Sequence, residues 1–191
     1  MKLSNEQLKT IYYGALDIVE VEDGYLQAFQ YTDSQMDYFR NSPFTFWYER
    51  CDASNCKTFE MTTAATKISF AYKFNWKCSE DTVELYVDGL AYEIKYVKDM
   101  GQEGTLSFEL PEGEKQVMIY LPSDATLLVK NFEINAEFTP AQKGEKVLWI
   151  GDSITQGYDA LHPSRRYTAQ VADFLGMEEF NRGIGSEKFC A

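Results

Sequence analysis

The chain has 191 residues, enough for one large domain or two small ones, and 45% of them are hydrophobic, an ordinary share for a globular protein. Its net charge of −12 leaves no basic face for phosphate, which argues against a general role on nucleic acid or anionic membrane. No apolar run approaches the roughly 20 residues that cross a bilayer. The start, Met1-Lys2-Leu3-Ser4-Asn5-Glu6-Gln7-Leu8-Lys9, has no signal-like apolar core, so a cytoplasmic location is expected.

In chain order, residues 15–138 read as short strands rich in aromatic and β-branched residues, separated by turn formers. Strands are expected over 15–19, 25–30, 44–49, 67–74, 82–87, 91–97, 105–110, 116–121 and 127–138. Residues 32–39 read as a helical turn capped by Thr32 or Asp33. Strict alternation in Thr82-Val83-Glu84-Leu85-Tyr86-Val87 and Ala91-Tyr92-Glu93-Ile94-Lys95-Tyr96 suits strands with one wet and one buried face. Asp88-Gly89 between them predicts a type I′ hairpin. Pro111-Glu112-Gly113 and Pro122-Ser123-Asp124 mark further turns. Many short strands with few helices predict a two-sheet antiparallel sandwich.

Past the proline and glycine of residues 139–145 the pattern changes. A buried strand over 146–150 runs into a glycine-flanked loop. A helix is expected from near Ser164 through Tyr167, Val171, Phe174 and Leu175, with Gly176 as its stop. A second strand over 178–181 leads into Arg182-Gly183-Ile184-Gly185-Ser186. Strand, helix, strand is the opening unit of a parallel sheet.

Cys51, Cys56, Cys78 and Cys190 lack metal-site or redox spacing and lie away from the single histidine. Reduced thiols are expected, with a Cys51–Cys56 disulfide as the alternative, and no metal or cofactor is implied. Trp47, Tyr48 and Trp76 read mainly as core or cross-strand aromatics, with a sugar-stacking face as the alternative. Arg165 and Arg166 at the helix start are expected to be solvated, and Glu20-Val21-Glu22-Asp23 to form an exposed loop.

Chemistry concentrates in Gly151-Asp152-Ser153-Ile154-Thr155-Gln156-Gly157, where a strand presents a serine at a sheet edge beside free backbone N–H groups. The bland alternative is a strand-to-helix turn capped by Asp152 or Ser153. The string is neither Gly-x-Ser-x-Gly nor a phosphate loop, since Thr155 breaks the first and no Gly-Lys pair supplies the second. Together with Asn181-Arg182-Gly183-Ile184-Gly185, it resembles the SGNH (GDSL) hydrolase family. The β-rich region before it resembles the amino-terminal sandwich of some carbohydrate esterases.

That resemblance implies a jelly-roll-like sandwich over residues 1–140, with a carbohydrate-binding or substrate-shaping role. It implies that residues 145–191 are the first strand-helix-strand of a flavodoxin-like α/β/α hydrolase. The activity implied is ester hydrolysis through an acyl-serine, with a carbohydrate or small ester as substrate and no cofactor. Ser153 is then the nucleophile and its own N–H the first oxyanion donor. Aligning on Asn181 puts the second donor at Ser186, where relatives usually have glycine. Gly185 just before it is the preferred donor if that position needs positive φ. Gly151, Asp152 and Asn181 are supporting residues.

Two blocks of the family are absent: Gly-x-Asn-Asp, and the late Asp-x-x-His that supplies the base. A serine without a base is a weak nucleophile, so the chain is expected to be the amino-terminal portion of an enzyme and nearly inactive alone. Asp159-Ala160-Leu161-His162 spells Asp-x-x-His, but it follows the nucleophile too closely, and His162 precedes Pro163. A rim loop is expected there, with Tyr158, Asp159 and His162 shaping the edge of a cleft. The alternatives are a non-catalytic carbohydrate-binding or interaction module and an inactive truncated relative.

Overall fold

The computed structural model describes residues 1–78 and 80–186. The strands are β1 (Tyr12–Tyr13), β2 (Asp17–Glu20), β3 (Leu26–Phe29), β4 (Thr58–Thr63), β5 (Lys67–Lys77), β6 (Thr82–Val87), β7 (Leu90–Tyr96), β8 (Glu103–Glu109), β9 (Lys115–Tyr120), β10 (Ala125–Ile134), β11 (Phe138–Pro140), β12 (Lys146–Gly151) and β13 (Glu178–Gly183). The α-helices are α1 (Asn5–Thr10), α2 (Asp33–Arg40), α3 (Thr45–Arg50), α4 (Ser153–Gln156) and α5 (Tyr167–Leu175). One antiparallel sheet has the order β1-β4-β9-β6-β7, with β11 also on β4, and a second has the order β2-β3-β10-β5-β8.

The two sheets share one core because alternate residues of each point inward. Phe59 of β4 meets Phe70 of β5 at 5.5 Å and Phe132 of β10 at 5.3 Å between ring centroids. Val83, Leu85, Val117 and Ile119 from the first sheet and Ile68, Phe108, Leu127 and Val129 from the second complete it. The β6–β7 hairpin turns at Asp88 and Gly89, with φ of 49° and 78°, as a type I′ turn requires.

Several elements differ from the sequence expectation. Residues 44–49, expected as a strand, form α3, where Trp47 packs edge-on against Phe39 of α2 at 6.0 Å. Burial of the Trp47 ring outweighs the weak helix propensity of aromatic residues. The strand expected over 127–138 is two strands, β10 and β11, separated by a bend. Helix α1 and strands β1 and β4 were not anticipated. Ser4 and Gln7 cap α1 through a reciprocal capping box, the sequence signal that was there to be read. The same device with Thr32 and Gln35 opens α2, which fixes Thr32 as the cap.

Strands β12 and β13 pair in parallel, Lys146 opposite Glu178 through Gly151 opposite Gly183, and α5 covers one face. The β12 strand is not buried on both faces as expected. Trp149 turns toward Tyr167 of α5, at 5.5 Å, while Leu148 and Ile150 on the other face are 51% and 54% exposed. Helix α5 likewise buries its small side, Thr168, Ala169 and Ala172, and leaves Phe174 and Leu175 exposed. Small residues let the helix approach the strands closely. Gly176 ends α5 at φ 64°.

A band of buried polar groups joins the parallel pair to the sandwich. Tyr31 Oη donates to Arg182 O at 3.0 Å, Asn55 Nδ2 to Asn181 O at 3.3 Å, and Tyr120 Oη to Asp173 Oδ2 at 2.5 Å. Within the sandwich, Lys57 is fully buried and donates to Gln30 Oε1 and to the carbonyls of Ala53 and Asn55. Burial pushes its ammonium down to about 8. Cys56 and Cys78 are free thiols, and no Cys51–Cys56 bridge forms. Cys190 lies outside the described residues.

Five carboxyls, those of Asp52, Glu60, Asp81, Asp124 and Asp173, hold protons above the usual carboxylate range, with burial as the first cause in each. Asp81 is pushed up to about 7. Between about pH 4 and pH 7 the folded chain therefore binds more protons than the unfolded chain, and these groups make stability rise as pH falls. Calorimetric melting midpoints should be higher near pH 5 than near pH 7.5. Whatever Asp81→Asn does to the midpoint itself, its pH slope should be shallower.

Candidate active site

The string 151–157 is a strand end, a cap and one helical turn, and each position has a physical task. Gly151 closes β12 where a Cβ would lie 2.1 Å from Thr155 Oγ1. Asp152 is the helix cap, its Oδ1 accepting the Ile154 N–H at 3.0 Å. Ser153 is the first residue of α4, half-buried at the carboxyl end of the parallel pair. Its hydroxyl has no hydrogen-bond partner among the described residues. Thr155 Oγ1 meets Tyr167 Oη at 2.9 Å, and Gly157 closes the turn in left-handed conformation.

The second block comes alongside through Asn181, which is fully buried. Its Nδ2 lies 2.6 Å from Thr155 O, 3.1 Å from Thr168 Oγ1 and 3.1 Å from Glu179 Oε1. Its Oδ1 accepts the Gly183 N–H at 2.8 Å, so one side chain ties α4, α5 and the end of β13 together. Gly183 is needed because a Cβ there would stand 2.3 Å from the Gln156 backbone nitrogen.

Gly185 is engaged at both its polar groups. Its N–H donates to Gln156 Oε1 at 2.8 Å, and its carbonyl accepts the Trp47 indole N–H at 3.0 Å. The preference for Gly185 as free donor thus meets an N–H that already has an acceptor. Ser186 takes φ of 64°, the left-handed conformation in which glycine is favoured, and its N–H has no acceptor among the described residues. Gln156 also donates to Asp124 Oδ1 at 3.3 Å, and Arg50 Nε stands 2.8 Å from the same oxygen.

The histidine does not turn to Ser153. His162 Nδ1 bonds Glu84 of β6, a residue 1% exposed at its side chain, and Leu161 O accepts from Thr82 Oγ1 at 3.2 Å. His162 is a pin between loop and sandwich rather than an open rim residue. The expectation that Arg166 is solvated is also corrected. Arg166 is 2% exposed, forms a two-pronged pair with Glu179 at 2.7 Å and 3.1 Å, and donates Nε to Pro163 O at 3.0 Å. Doubly bonded guanidinium and carboxylate can share a buried site that neither could occupy alone. Arg165 is exposed, as expected.

Trp47 and Trp76 are each partnered. Trp47 is committed to the Gly185 loop, and the Trp76 ring is covered by the Arg50 guanidinium at 3.6 Å. The Tyr48 side chain lies outside the described residues. Among the described residues no cluster of three or more metal-ligating side chains occurs, and no helix is long and apolar enough to cross a membrane. Sequence reasoning missed the parts played here by Gln156, Trp47, Arg166 and Glu179. The only local hint was the concentration of polar residues that a solvated surface would explain equally well.

Solved structures share this fold. A salicylyl-acyltransferase from a tetracycline biosynthetic pathway superposes with a TM-score of 0.73 at 18% identity, over 92% of this chain and 52% of its own. A GDSL-like lipase from Bacteroides ovatus gives 0.69 at 18% identity, over 98% of this chain and 57% of its own. A family two carbohydrate esterase from Cellvibrio japonicus gives 0.61 at 15% identity, over 98% and 52%. At these identities the likeness shows the fold alone. The chain spans little more than half the length of these structures. No family model matches it, and no curated protein does.

Proposed function

We propose that this chain carries the sandwich and the first catalytic blocks of a serine esterase of SGNH type that deacylates a carbohydrate or small ester. In this reading residues 1–140 are a jelly-roll-like domain and residues 145–191 open the hydrolase domain. The observation that carries it is Ser153: half-buried, first in its helix, at the carboxyl end of a parallel strand pair, beside the loop held by Asn181 and Gln156. The Ser153 and Ser186 N–H groups are the oxyanion donors, and Gly151, Asp152 and Asn181 support them. Acyl transfer would proceed by attack of Ser153 Oγ on the ester carbonyl, release of the alcohol, and hydrolysis of the acyl-serine by water.

The reaction needs a proton acceptor at the serine, and His162, held by Glu84, does not supply it. The test follows from that. A chain continued to bring in a histidine base should hydrolyse acetyl esters, while residues 1–191 alone turn over very slowly. Equal, negligible turnover by both would remove the esterase reading.

A second reading, a carbohydrate-binding module, is favoured by a groove of about 780 Å³ between β4, β9 and α5, with Tyr86, Gln116, Gln170 and Asp173 on its walls. Titration calorimetry with oligosaccharides separates the two. Binding that survives Ser153→Ala in a chain without esterase activity would support the module.

A further inference from the structure

We propose that Trp47 of the sandwich is a positioning residue for the oxyanion donor: its indole N–H locks the peptide between Gly185 and Ser186 in one orientation. In a planar trans peptide the C=O and N–H point in opposite directions. Every described peptide is trans, and Trp47 Nε1 holds the Gly185 oxygen at 3.0 Å. The Ser186 N–H therefore faces away from Trp47 and has no acceptor of its own among the described residues. On the other flank, the Gly185 N–H is held by Gln156 at 2.8 Å. The loop is gripped on both sides of Gly185, and one N–H is left over.

The lock has work to do. Ser186 sits at φ 64°, where a side chain strains the backbone by about 1 kcal/mol. Rotating the preceding peptide is the easy route out of that strain, and it would turn the free N–H away and put a carbonyl in its place. A bond from a tryptophan that is itself wedged against Phe39 and Phe44, at 6.0 Å and 5.0 Å, opposes that rotation. Trp47 stands 138 residues before Gly185, so the sandwich contributes to the geometry of the serine site without touching substrate. This account rests on Ser153 being the nucleophile.

The test removes the indole N–H and little else. Trp47→Phe, and replacement of the indole by benzothiophene, which keeps the ring shape, are compared with the unaltered chain. Two measurements are made on each. The first is the Gly185 carbonyl carbon and Ser186 amide nitrogen shifts by NMR. The second, made in chains continued to bring in a histidine base, is the rate at which a fluorophosphonate labels Ser153, by mass spectrometry. In labelling, the Oγ–P bond forms, the P–F bond breaks with release of fluoride, and the hydroxyl proton passes to that histidine.

Both altered chains should shift the two resonances and label Ser153 up to about a hundredfold more slowly, the scale of one lost oxyanion donor. Unchanged resonances would overturn the lock. Shifted resonances with an unchanged labelling rate would overturn its link to the oxyanion donor and leave Ser153 as nucleophile. If Ser153 is never labelled in any chain, the serine reading falls and the link with it.

Discussion

Ser153→Ala is expected to lower ester hydrolysis by about 10⁴-fold or more in a chain that carries a histidine base, with the folded structure intact. The size follows from the chemistry, because without the hydroxyl no acyl-enzyme forms and only oxyanion stabilisation and binding remain. The fold should tolerate the change. The Ser153 hydroxyl makes no hydrogen bond to a described residue, and the cap of α4 is Asp152, not Ser153. Activity with acetyl esters and the thermal melt read the two halves separately. Retained turnover would take Ser153 out of the mechanism, and a collapsed melt would make it a structural residue.

Arg166→Ala is expected to cost about 3–5 kcal/mol of stability, the largest loss from any single side chain around the site. The guanidinium is nearly inaccessible and satisfies both oxygens of Glu179. Removing it strands the Glu179 carboxylate, 9% exposed at its side chain, against Asn181. It also leaves a cavity where the Arg166 stem passes beneath Gly157, a contact so close that a Cβ on Gly157 would lie 2.1 Å from Arg166 Cδ. Urea unfolding should show the loss. Arg166→Ala combined with Glu179→Ala should cost less than the two single changes added together, since the stranded charge is then gone. A strictly additive double variant would show that the pair is not the unit that matters.

Gly183→Ala tests the same junction from the strand side. Its Cβ would press on backbone, Gln156 N at 2.3 Å and Thr155 C at 2.7 Å, so α4 must move away from β13. A loss of about 1–3 kcal/mol is expected from the overpacking, together with weaker protection of the Gly185 amide from exchange.

The legible parts of this protein were those set by local chemistry. Alternation in 82–87 and 91–96 around Asp88-Gly89 marked a hairpin because a strand's side-chain period is two and that turn demands positive φ at both centres. Gly176 marked the end of α5, and the 151–157 string marked a serine at a strand-to-helix turn, for similarly short-range reasons. Helix α3 was illegible, because aromatic residues that would suit a strand are turned helical by contacts with α2.

What the tertiary structure alone decided is which polar groups are buried together. From sequence, Arg166 looks like its exposed neighbour Arg165, His162 looks like half of a catalytic pair, and Trp47 looks like one more sandwich aromatic. Only packing separates them. Arg166 meets Glu179, His162 meets Glu84 from a strand 78 residues earlier, and Trp47 meets the Gly185 carbonyl. A charge or an N–H removed from water must find its partner within about 3 Å. Which partner lies within that distance depends on how distant strands and helices pack, and no local pattern records it.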